Sequence, residues 1–284
     1  MVFWLLRKKS RFLVSFFSIL LGYLTFGSFY RFGESSDNQL EADLKVMSYN
    51  VWGFNRNEWI DRPDVGDKII ELLKEEDPDV LCIQEHNRSM DGRLAQYPYR
   101  VETPFFTGKA TQAIFSKFPI VESGSLDLPS TKNNIIYADV LFGRDTVRFY
   151  NIHLQSFKIV PSSATFSRNQ SKKNIRRLVS TFAEQQKQVQ ILNSHRASCS
   201  FQTVLCGDFN NTQFSNVYRK ISEGLNDSFL EKGAGFGKTY SLKGLPLRID
   251  YILTDSEFEV VAHKNYKDRL SDHYPIMATL RLKK

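Results

Sequence analysis

The 284-residue sequence has few cysteines and no internal repeats. Its cysteines are Cys82, Cys199 and Cys206, and two of these lie in apolar runs that are typical of buried strands. A disulfide-stabilised fold is therefore not expected. No period of about 20–50 residues recurs, which excludes solenoids and propellers. A content of 42% hydrophobic and 24% charged residues also excludes a disordered or fibrous chain.

Excess positive charge is scarce outside the N-terminal region. The formal net charge is +7, but five basic residues and one acidic residue lie in the first 36 positions, which leaves 33 basic and 30 acidic residues elsewhere. Overall charge therefore does not identify a nucleic-acid-binding protein. The remaining length agrees with one α/β domain of roughly 200–250 residues.

The N-terminal segment contains a long run without any charged residue, from Phe12 to Tyr30. As a helix, this run would span the hydrocarbon core of a bilayer. A basic cluster precedes it, so the positive-inside rule predicts a cytoplasmic N-terminus and an extracytoplasmic main domain, as in a bacterial inner-membrane protein that faces the periplasm. The alternative is a cleaved signal peptide, although the run is longer than a usual signal core and no A-x-A pattern follows.

These patterns divide the chain into four regions. They are a basic cytoplasmic N-terminus (1–11), a transmembrane helix (12–30), a short polar tether (31–43) and a main domain (44–284).

Short apolar runs alternate with helical patterns throughout the main domain, which indicates a mixed α/β fold. Two amphipathic helices are predicted, at Asp67–Glu76 and Ser171–His195. The predicted strands are Leu44–Val51, Asp79–Glu85, Gln112–Ser116, Ile135–Leu141, Thr146–Ile152, Gln202–Cys206, Leu247–Leu253, Phe258–His263 and Met277–Leu282.

Polar side chains follow five of the apolar runs, at the point where each run ends. They occur in Tyr49-Asn50, Gln84-Glu85, Asn151-Ile152-His153, Gly207-Asp208-Phe209-Asn210 and Ser271-Asp272-His273. Each has an ordinary explanation as a cap or a turn when it is taken alone. The carboxyl ends of strands are, however, where α/β proteins gather catalytic groups. Asp250 also interrupts an apolar run, where an unpaired charge would be costly.

Six segments together resemble the endonuclease/exonuclease/phosphatase superfamily in their order and rough spacing. They are SYNVWG, IQEH, NIHLQS, CGDFN, RIDYIL and SDHYP, and the resemblance covers Leu44 to the C-terminus. It implies a four-layer α/β sandwich of two packed mixed β-sheets flanked by helices, to which this chain would add the N-terminal transmembrane helix. It also implies a catalytic domain that hydrolyses phosphoester bonds with Mg²⁺, or with Mn²⁺ in its place.

The resemblance and the needs of phosphoryl transfer together assign roles to these residues. Glu85 is the expected metal ligand, with Asn50 as a ligand or support and Asp272 near the metal. Asp208 is expected to orient and deprotonate the attacking water. Asn210 would donate a hydrogen bond to the phosphate or to that water.

Two histidines complete the expected site. His273 would stabilise charge on the scissile phosphate. It needs a carboxylate to orient it, and its neighbour Asp272 is a poor choice because adjacent side chains point opposite ways in extended chain. Asp250, on another strand, is therefore the expected partner. His153 matches a histidine that the deoxyribonuclease-like and sphingomyelinase-like branches use to contact phosphate or as a general acid. Arg248, in RIDYIL, is a further candidate for substrate contact.

Nuclease-type hydrolysis of nucleic acid is the favoured function. The segment from Gln155 to Arg177 is rich in basic residues and would either grip a polyanionic substrate or form a solvated loop and helix face. The alternative is a phosphodiesterase of the sphingomyelinase or phospholipase C type, acting on a phospholipid head group beside the membrane.

Two other functions fit less well. A catalytically dead membrane-tethered binding module would have lost Glu85, Asp208 or His273, and all three are present. The inositol-polyphosphate phosphatase branch would carry a Trp before the Gly-Asp pair and a Cys-Asp-Arg block, and neither is found. No protein partner is implied.

Overall fold

The computed structural model describes residues 2–26, 30–32, 40, 43–105, 108–126, 128–129, 131–157, 168–242 and 245–283. The helices are α1 (Val2–Leu6), α2 (Arg11–Phe26), α3 (Val65–Glu76), α4 (Arg168–Ala197), α5 (Asn216–Ile221) and α6 (Ser228–Lys232). Short 3-10 helices cover Trp52–Asn55 and Arg88–Leu94.

The strands are short and mostly rich in β-branched and aromatic residues. They are β1 (Leu44–Asn50), β2 (Val80–Gln84), β3 (Tyr99–Glu102), β4 (Ala113–Ser116), β5 (Ile120–Leu126), β6 (Asn134–Phe142), β7 (Asp145–His153), β8 (Gln202–Asp208), β9 (Asn226–Asp227), β10 (Tyr240–Leu242), β11 (Leu245–Leu247), β12 (Asp250–Thr254), β13 (Phe258–Asn265) and β14 (Ile276–Leu282).

Two mixed sheets form the centre of the domain. One has the strand order β13-β14-β1-β2-β4-β3 and the other β5-β6-β7-β8-β12-β9, with β10 and β11 as a separate hairpin. Each sheet contains one parallel pair, β1 with β2 and β7 with β8, while the other pairings are antiparallel. In each parallel pair the carboxyl ends of both strands lie at one edge of the sheet, and the polar segments identified in the sequence follow these ends.

Three apolar clusters produce four layers. The largest lies between the sheets and combines residues of β1, such as Val46, with residues of β7, such as Phe149. The outer face of the first sheet is covered by α3, whose buried residues Ile69, Ile70 and Leu73 recur at helical spacing. The outer face of the second sheet is covered by α4 and α5. The predicted α/β sandwich of two mixed sheets flanked by helices is thus confirmed.

The N-terminal segment is helical over Arg11–Phe26, and residues 27–29 of the predicted 12–30 span lie outside the described part. Among the residues that the structure describes, no helix combines the length and the apolar character needed to cross a membrane. Most of the predicted tether, residues 33–39, also lies outside the description.

The predicted strands and helices of the main domain are present, one of them divided, and the structure adds short elements that were not predicted, such as α5, α6, β9 and β10. The strand predicted at Leu247–Leu253 is divided, because the chain leaves the β10–β11 hairpin at Leu247 and β12 begins only at Asp250. Strands β3 and β5 were not predicted. Both lie at a sheet edge and carry many exposed polar residues, so they lack the apolar run that marks a buried strand.

Candidate active site

Strand register brings the predicted residues to one edge of the sandwich. Asn50 pairs with Gln84 at the ends of β1 and β2, and Asp208 lies between His153 of β7 and Asp250 of β12. The segment that precedes β14 reaches the same edge, where the Ser271 hydroxyl donates to the carbonyl of Asn50 (2.9 Å). The close approach of these residues results from pairing of strands that are distant in the sequence.

Backbone conformation directs two of these side chains. Glu85 and Asn210 both have positive φ, 51° and 50°; Glu85 directly follows β2, and Asn210 lies two residues after the end of β8. Such values are uncommon outside glycine, and they turn the chain sharply where each strand ends. Gly207 has φ of 137°, and a Cβ there would lie 2.0 Å from the carbonyl oxygen of Ile152, so only glycine fits at this position of β8.

Asp208 is the central group of the site. Its Oδ2 lies 3.2 Å from Asn50 Nδ2, 3.6 Å from His273 Nε2 and 3.7 Å from His153 Nε2. Burial and the nearby Asp250 raise the pKa of Asp208 to about 7, although His273 acts in the opposite direction. A carboxylate with a pKa near neutrality is suited to accept a proton from water.

His273 and Asp250 form a buried ion pair, with Nδ1 and Oδ2 2.9 Å apart. Burial lowers the pKa of His273, but the negative charges of Asp250 and Asp208 more than reverse this effect and raise it to about 10. The imidazolium form is therefore favoured at neutral pH, with Nε2 available on the side of Asp208. The structure brings Asp250 to His273 as predicted.

Glu85 and Asp272 bring further negative charge to the same edge. Burial and the charge of Asp272 raise the pKa of Glu85, and Asn50 Nδ2 lies 3.4 Å from Glu85 Oε1. The positive charge of His273 opposes this effect. Hard carboxylate oxygens in excess over cations form a donor set that suits a divalent metal such as Mg²⁺. Glu85 and Asn50 thus lie beside each other, with the charge of Asp272 acting on Glu85, and their role as metal ligands stays a prediction.

His153 differs from His273 in its charge. It is buried, and both burial and the positive charge of His273 lower its pKa to about 3, so it is neutral at physiological pH. Its Nε2 lies between Glu85 and Asp208, while its Nδ1 is buried without a hydrogen-bond partner among the described residues. A neutral imidazole fits the predicted phosphate contact better than the role of a general acid.

Asn210 lies at the site, where both its backbone N–H and its side chain donate hydrogen bonds to Asp208. Its backbone N–H donates to Asp208 Oδ1 (2.7 Å), and its carboxamide Nδ2 donates to Asp208 Oδ2 (3.1 Å) and to the carbonyl of Leu154 (3.0 Å). In this arrangement Asn210 holds the carboxylate of Asp208 in place, whereas the sequence predicted a donor to phosphate or water.

Arg248 does not belong to the site, and its prediction as a substrate contact is corrected. The side chain is buried, and its Nη1 donates to Asp227 (2.6 Å). The guanidinium packs over the rings of Phe229 and Tyr251. The strand is interrupted between β11 and β12 at this point, so Arg248 does not share a strand face with Asp250.

Two residues beside the site were not predicted. Thr239 is buried, and its hydroxyl accepts the backbone N–H groups of Ile249 (2.9 Å) and Asp250 (3.1 Å), which fixes the start of β12. The ring of Tyr240 packs on His273, with ring centroids 4.9 Å apart. Thr239 precedes β10 and Tyr240 is its first residue, in a glycine-rich part of the chain without apolar periodicity, so the sequence offered no indication of their position.

A buried polar layer below the site was also missed. Asn151 Nδ2, from the second sheet, donates to the carbonyls of Ile83 (2.8 Å) and Ala113 (2.9 Å) in the first sheet. Gln84 Nε2 donates to Asn151 Oδ1 (2.7 Å), and Gln112 Nε2 donates to the Asn151 carbonyl (2.9 Å). Asn151 and Gln84 stand inside two of the six motifs, next to the residues that received roles.

The basic segment Gln155–Arg177 contributes little that can be described. Residues 158–167 lie outside the described part, and the burial of side chains 168–173 is also not described. Within the described portion, the Phe157 ring packs on Phe182 of α4.

Comparison with known proteins agrees with this architecture. A family model described as "Endonuclease/Exonuclease/phosphatase family" matches residues 47–273. No curated protein matches the chain.

Several solved structures share the fold at low identity. An endonuclease/exonuclease/phosphatase protein from Beutenbergia cavernae is 20% identical, with a TM-score of 0.64 over 85% of this chain and 72% of the other. TDP2 from D. rerio, complexed with a single-strand DNA product, is 20% identical with a TM-score of 0.63 over 85% and 100%. The human Nocturnin catalytic domain, with bound sulfate, is 17% identical with a TM-score of 0.62 over 86% and 96%.

Proposed function

The chain belongs to the endonuclease/exonuclease/phosphatase family, whose members hydrolyse phosphoester bonds, and from this we propose that it is a Mg²⁺-dependent phosphodiesterase of the nuclease type. The observation that carries the proposal is that a carboxylate suited to act as a base, Asp208, lies beside a cationic imidazole, His273, at the strand ends (Oδ2 to Nε2 3.6 Å). Asp208 has a pKa near 7, and His273, held by Asp250, has a pKa near 10.

The residues supply three functions for attack of water on a phosphodiester. Asp208 accepts the proton of the attacking water. His273 donates a hydrogen bond from Nε2 to the phosphate and opposes the negative charge that develops there. His153, neutral at physiological pH, donates from Nε2 to a phosphate oxygen in the same pocket.

Glu85, Asn50 and Asp272 would hold the metal. A divalent cation bound there would neutralise charge on the phosphate oxygens and assist departure of the leaving group. It would also offset the negative charge that raises the pKa of Glu85. Mn²⁺ has the same preference for oxygen ligands and would serve in place of Mg²⁺.

A nucleic-acid substrate is favoured over a lipid by two considerations. D. rerio TDP2, which has the same fold, is complexed with a single-strand DNA product. The open cleft beside Glu85 is lined by Arg56 and Arg88, whose charges complement phosphates of a strand that continues past the scissile bond.

The proposal is tested by offering the full chain plasmid DNA, RNA, sphingomyelin vesicles and a small chromogenic phosphodiester, each with Mg²⁺ or with EDTA. We expect cleavage of nucleic acid and of the small ester with Mg²⁺ and none with EDTA. Activity that survives EDTA would contradict the metal requirement. Cleavage of sphingomyelin alone would contradict the nuclease assignment.

A matched pair of variants isolates the metal site. Glu85→Gln removes the proposed ligand charge and should lower activity at least about 100-fold, with partial recovery at high Mg²⁺. Glu223→Gln makes the same change at an exposed position near α5 and should leave activity unchanged. Equal activity of the two variants would refute the role of Glu85.

We propose separately that the N-terminal segment holds the catalytic domain at a membrane, with the domain on the extracytoplasmic side. The helices α1 and α2 leave many apolar side chains exposed, among them Leu6, Val14, Phe17, Ile19 and Leu21. The basic residues that precede α2 favour a cytoplasmic N-terminus.

This topology has a direct test. An alkaline phosphatase reporter fused to the C-terminus should be active in cells, and the protein should stay with membranes during carbonate extraction. If alkaline phosphatase is inactive at this position and a reporter that works only in the cytoplasm is active there, the orientation is the reverse of the proposed one. Release by carbonate would contradict insertion.

A further inference from the structure

A cleft of about 520 Å³ opens beside Glu85, and apart from Glu85 its lining residues are not among the proposed catalytic and metal-binding residues. Its volume falls in the range of roughly 300–1,000 Å³ that small-ligand sites occupy. Two aromatic side chains, Trp59 and Phe105, and two arginines, Arg56 and Arg88, line it together with Glu85. We name these five residues the Trp59 cleft. None of the roles described above uses its aromatic residues.

The loop that carries Trp59 is built rigidly. The carboxamide of Asn55 is buried and crosses the loop, donating to the carbonyl of Ile60 (2.8 Å) and accepting from the Ile60 N–H (2.9 Å). Trp52, Phe54, Asn55 and Glu58 all have positive φ, a conformation that costs energy in residues other than glycine. Such a concentration of unfavourable conformations is found where a loop shape is needed for function.

The same loop is fixed relative to the catalytic edge. The Gly53 N–H donates to the carbonyl of Glu85 (2.9 Å), and the Val51 N–H donates to that of Gln84 (3.1 Å). The position of Trp59 is therefore determined by the end of β2, the strand that places the proposed metal ligand. A ligand that lies on Trp59 would be held in register with the scissile phosphate.

The aromatic residues form a platform with an open side. The rings of Trp52 and Trp59 stack in parallel, with centroids 4.1 Å apart and an angle of 16°. Trp59 nevertheless keeps 48% of its surface exposed, and Phe105 keeps 74%. Large aromatic surfaces left in water beside an active site are typical of sites that stack against a planar group.

The charges of the cleft select among ligands. Arg56 is exposed and makes no ion pair within the described part of the chain, whereas Arg88 is paired with Glu102 (2.7 Å) and lies over the Phe105 ring. An unpaired guanidinium beside a stacking platform complements a base with its attached phosphate. It would repel the quaternary ammonium group of a choline lipid.

We propose that the Trp59 cleft binds an unpaired nucleotide of a single-stranded nucleic acid, with the base stacked on Trp59 and its phosphate beside Arg56. This inference rests on the proposed nuclease function and names its substrate as a strand with unpaired bases next to the scissile phosphate. A base in a duplex is stacked on its neighbours and cannot enter the cleft without unpairing.

The test compares two strands of equal length and equal charge, one of thymidine nucleotides and one in which the bases are replaced by abasic residues. For the full-length wild-type protein with Mg²⁺ we expect kcat/KM to be about tenfold or more higher on the base-bearing strand. Trp59→Ala should remove most of this preference, and Trp59→Phe should keep part of it. RNA and DNA strands are run in parallel to distinguish the two sources of the base.

Controls use matched positions away from the cleft. Phe201→Ala removes an aromatic ring with 38% exposure at the opposite end of the second sheet, and Arg144→Ala removes a cation from the β6–β7 turn. Both should keep the wild-type preference, whereas Arg56→Ala should weaken binding to base-bearing and abasic strands alike.

The outcomes separate failure of this inference from failure of the proposed function. A wild-type protein that cleaves the small chromogenic phosphodiester and both strands equally well would overturn the inference alone. The inference would also be overturned if Trp59→Ala lowered kcat/KM equally on the base-bearing and abasic strands. The same holds if Trp59→Ala lowered activity only on sphingomyelin vesicles. A wild-type protein that cleaves neither strand nor the small ester would overturn the nuclease function itself.

Discussion

At the scale of single residues, environment separates groups of the same chemical type. His153 and His273 are both buried at one edge, yet the pKa of the first falls to about 3 and that of the second rises to about 10. Burial lowers the pKa of both histidines. The negative charges of Asp250 and Asp208 reverse this effect at His273, whereas the positive charge of His273 lowers the pKa of His153 further. The two imidazoles therefore differ in charge state at neutral pH.

Asp250→Asn tests this dependence on a single carboxylate. Loss of the negative charge should lower the pKa of His273, so the alkaline limit of the pH–rate profile should move to lower pH, and kcat should fall about 10²- to 10⁴-fold. Asp145→Asn, at the exposed start of β7, serves as the control. An unchanged alkaline limit in Asp250→Asn would show that Asp250 does not set the charge of His273.

Asn151 illustrates a residue whose contribution is to stability. Asn151→Leu leaves the buried carbonyls of Ile83 and Ala113 without their donor, and should reduce the free energy of unfolding by about 3 kcal/mol in urea titrations. Asn216→Leu, at an exposed position on α5, should change it by less than about 1 kcal/mol. Similar losses in the two variants would show that the polar layer does not join the sheets.

At the scale of elements, the ends of strands decide where the chemistry lies. β1, β2, β7 and β8 form two parallel pairs, so their carboxyl ends lie at the same edge, and β12 starts opposite the end of β8. Asp208 and Asp250 thus become cross-strand neighbours. The position of β8 against β7 depends on the absence of a side chain at Gly207.

Gly207→Ala is expected to be far more harmful than an ordinary glycine substitution. The added Cβ would lie 2.0 Å from the Ile152 carbonyl oxygen, so β7 and β8 must separate, with a loss of at least about 3 kcal/mol and of most activity. Gly143→Ala is the matched control, because Gly143 also has positive φ (65°) but has open space around its Cβ position. Its cost should be about 1 kcal/mol. Thermal unfolding of the two variants gives the comparison, and equal costs would contradict the steric argument.

At the scale of the whole molecule, buried histidines couple the fold to pH. His263 of β13 is buried, its Nδ1 lies 2.9 Å from the Ser228 hydroxyl, and burial lowers its pKa to about 4. A group whose pKa is lower in the folded state than in the unfolded state contributes stability above its unfolded pKa. That contribution is lost as the pH falls through the folded pKa.

The wild-type protein should therefore lose stability relative to His263→Gln as the pH falls from about 6.5 to about 4, by roughly 3 kcal/mol in total. Urea unfolding of both proteins at several pH values measures this difference. Ser228→Ala removes the hydroxyl partner and keeps the titrating ring, so it should retain the wild-type pH dependence. Parallel stability curves for wild type and His263→Gln would show that His263 does not contribute.

Much of the fold and site could be predicted because local pattern and local chemistry agree. Buried strands such as β1 and β8 are continuous apolar runs, and a carboxylate at the end of such a run is costly without a purpose. Asn50, Glu85, Asp208 and His273 were picked out as polar residues at the ends of runs and from the motif resemblance, and the structure places them at one edge. The edge strand β5 was missed because an exposed strand does not need an apolar run, and the apolar run is the local signal from which the other strands were predicted.

The amino-acid sequence by itself determined the alternation of strands and helices, the apolar core and the types of group at the strand ends, because these depend on neighbours in the chain. Tertiary structure decided which groups meet. Arg248 stands two positions from Asp250 but is drawn to Asp227, while Trp59 lies 26 residues from Glu85 and lines the same cleft. Strand register, burial and the summed charge of distant residues set these contacts and the pKa values of the site, and none of them is a property of a local segment.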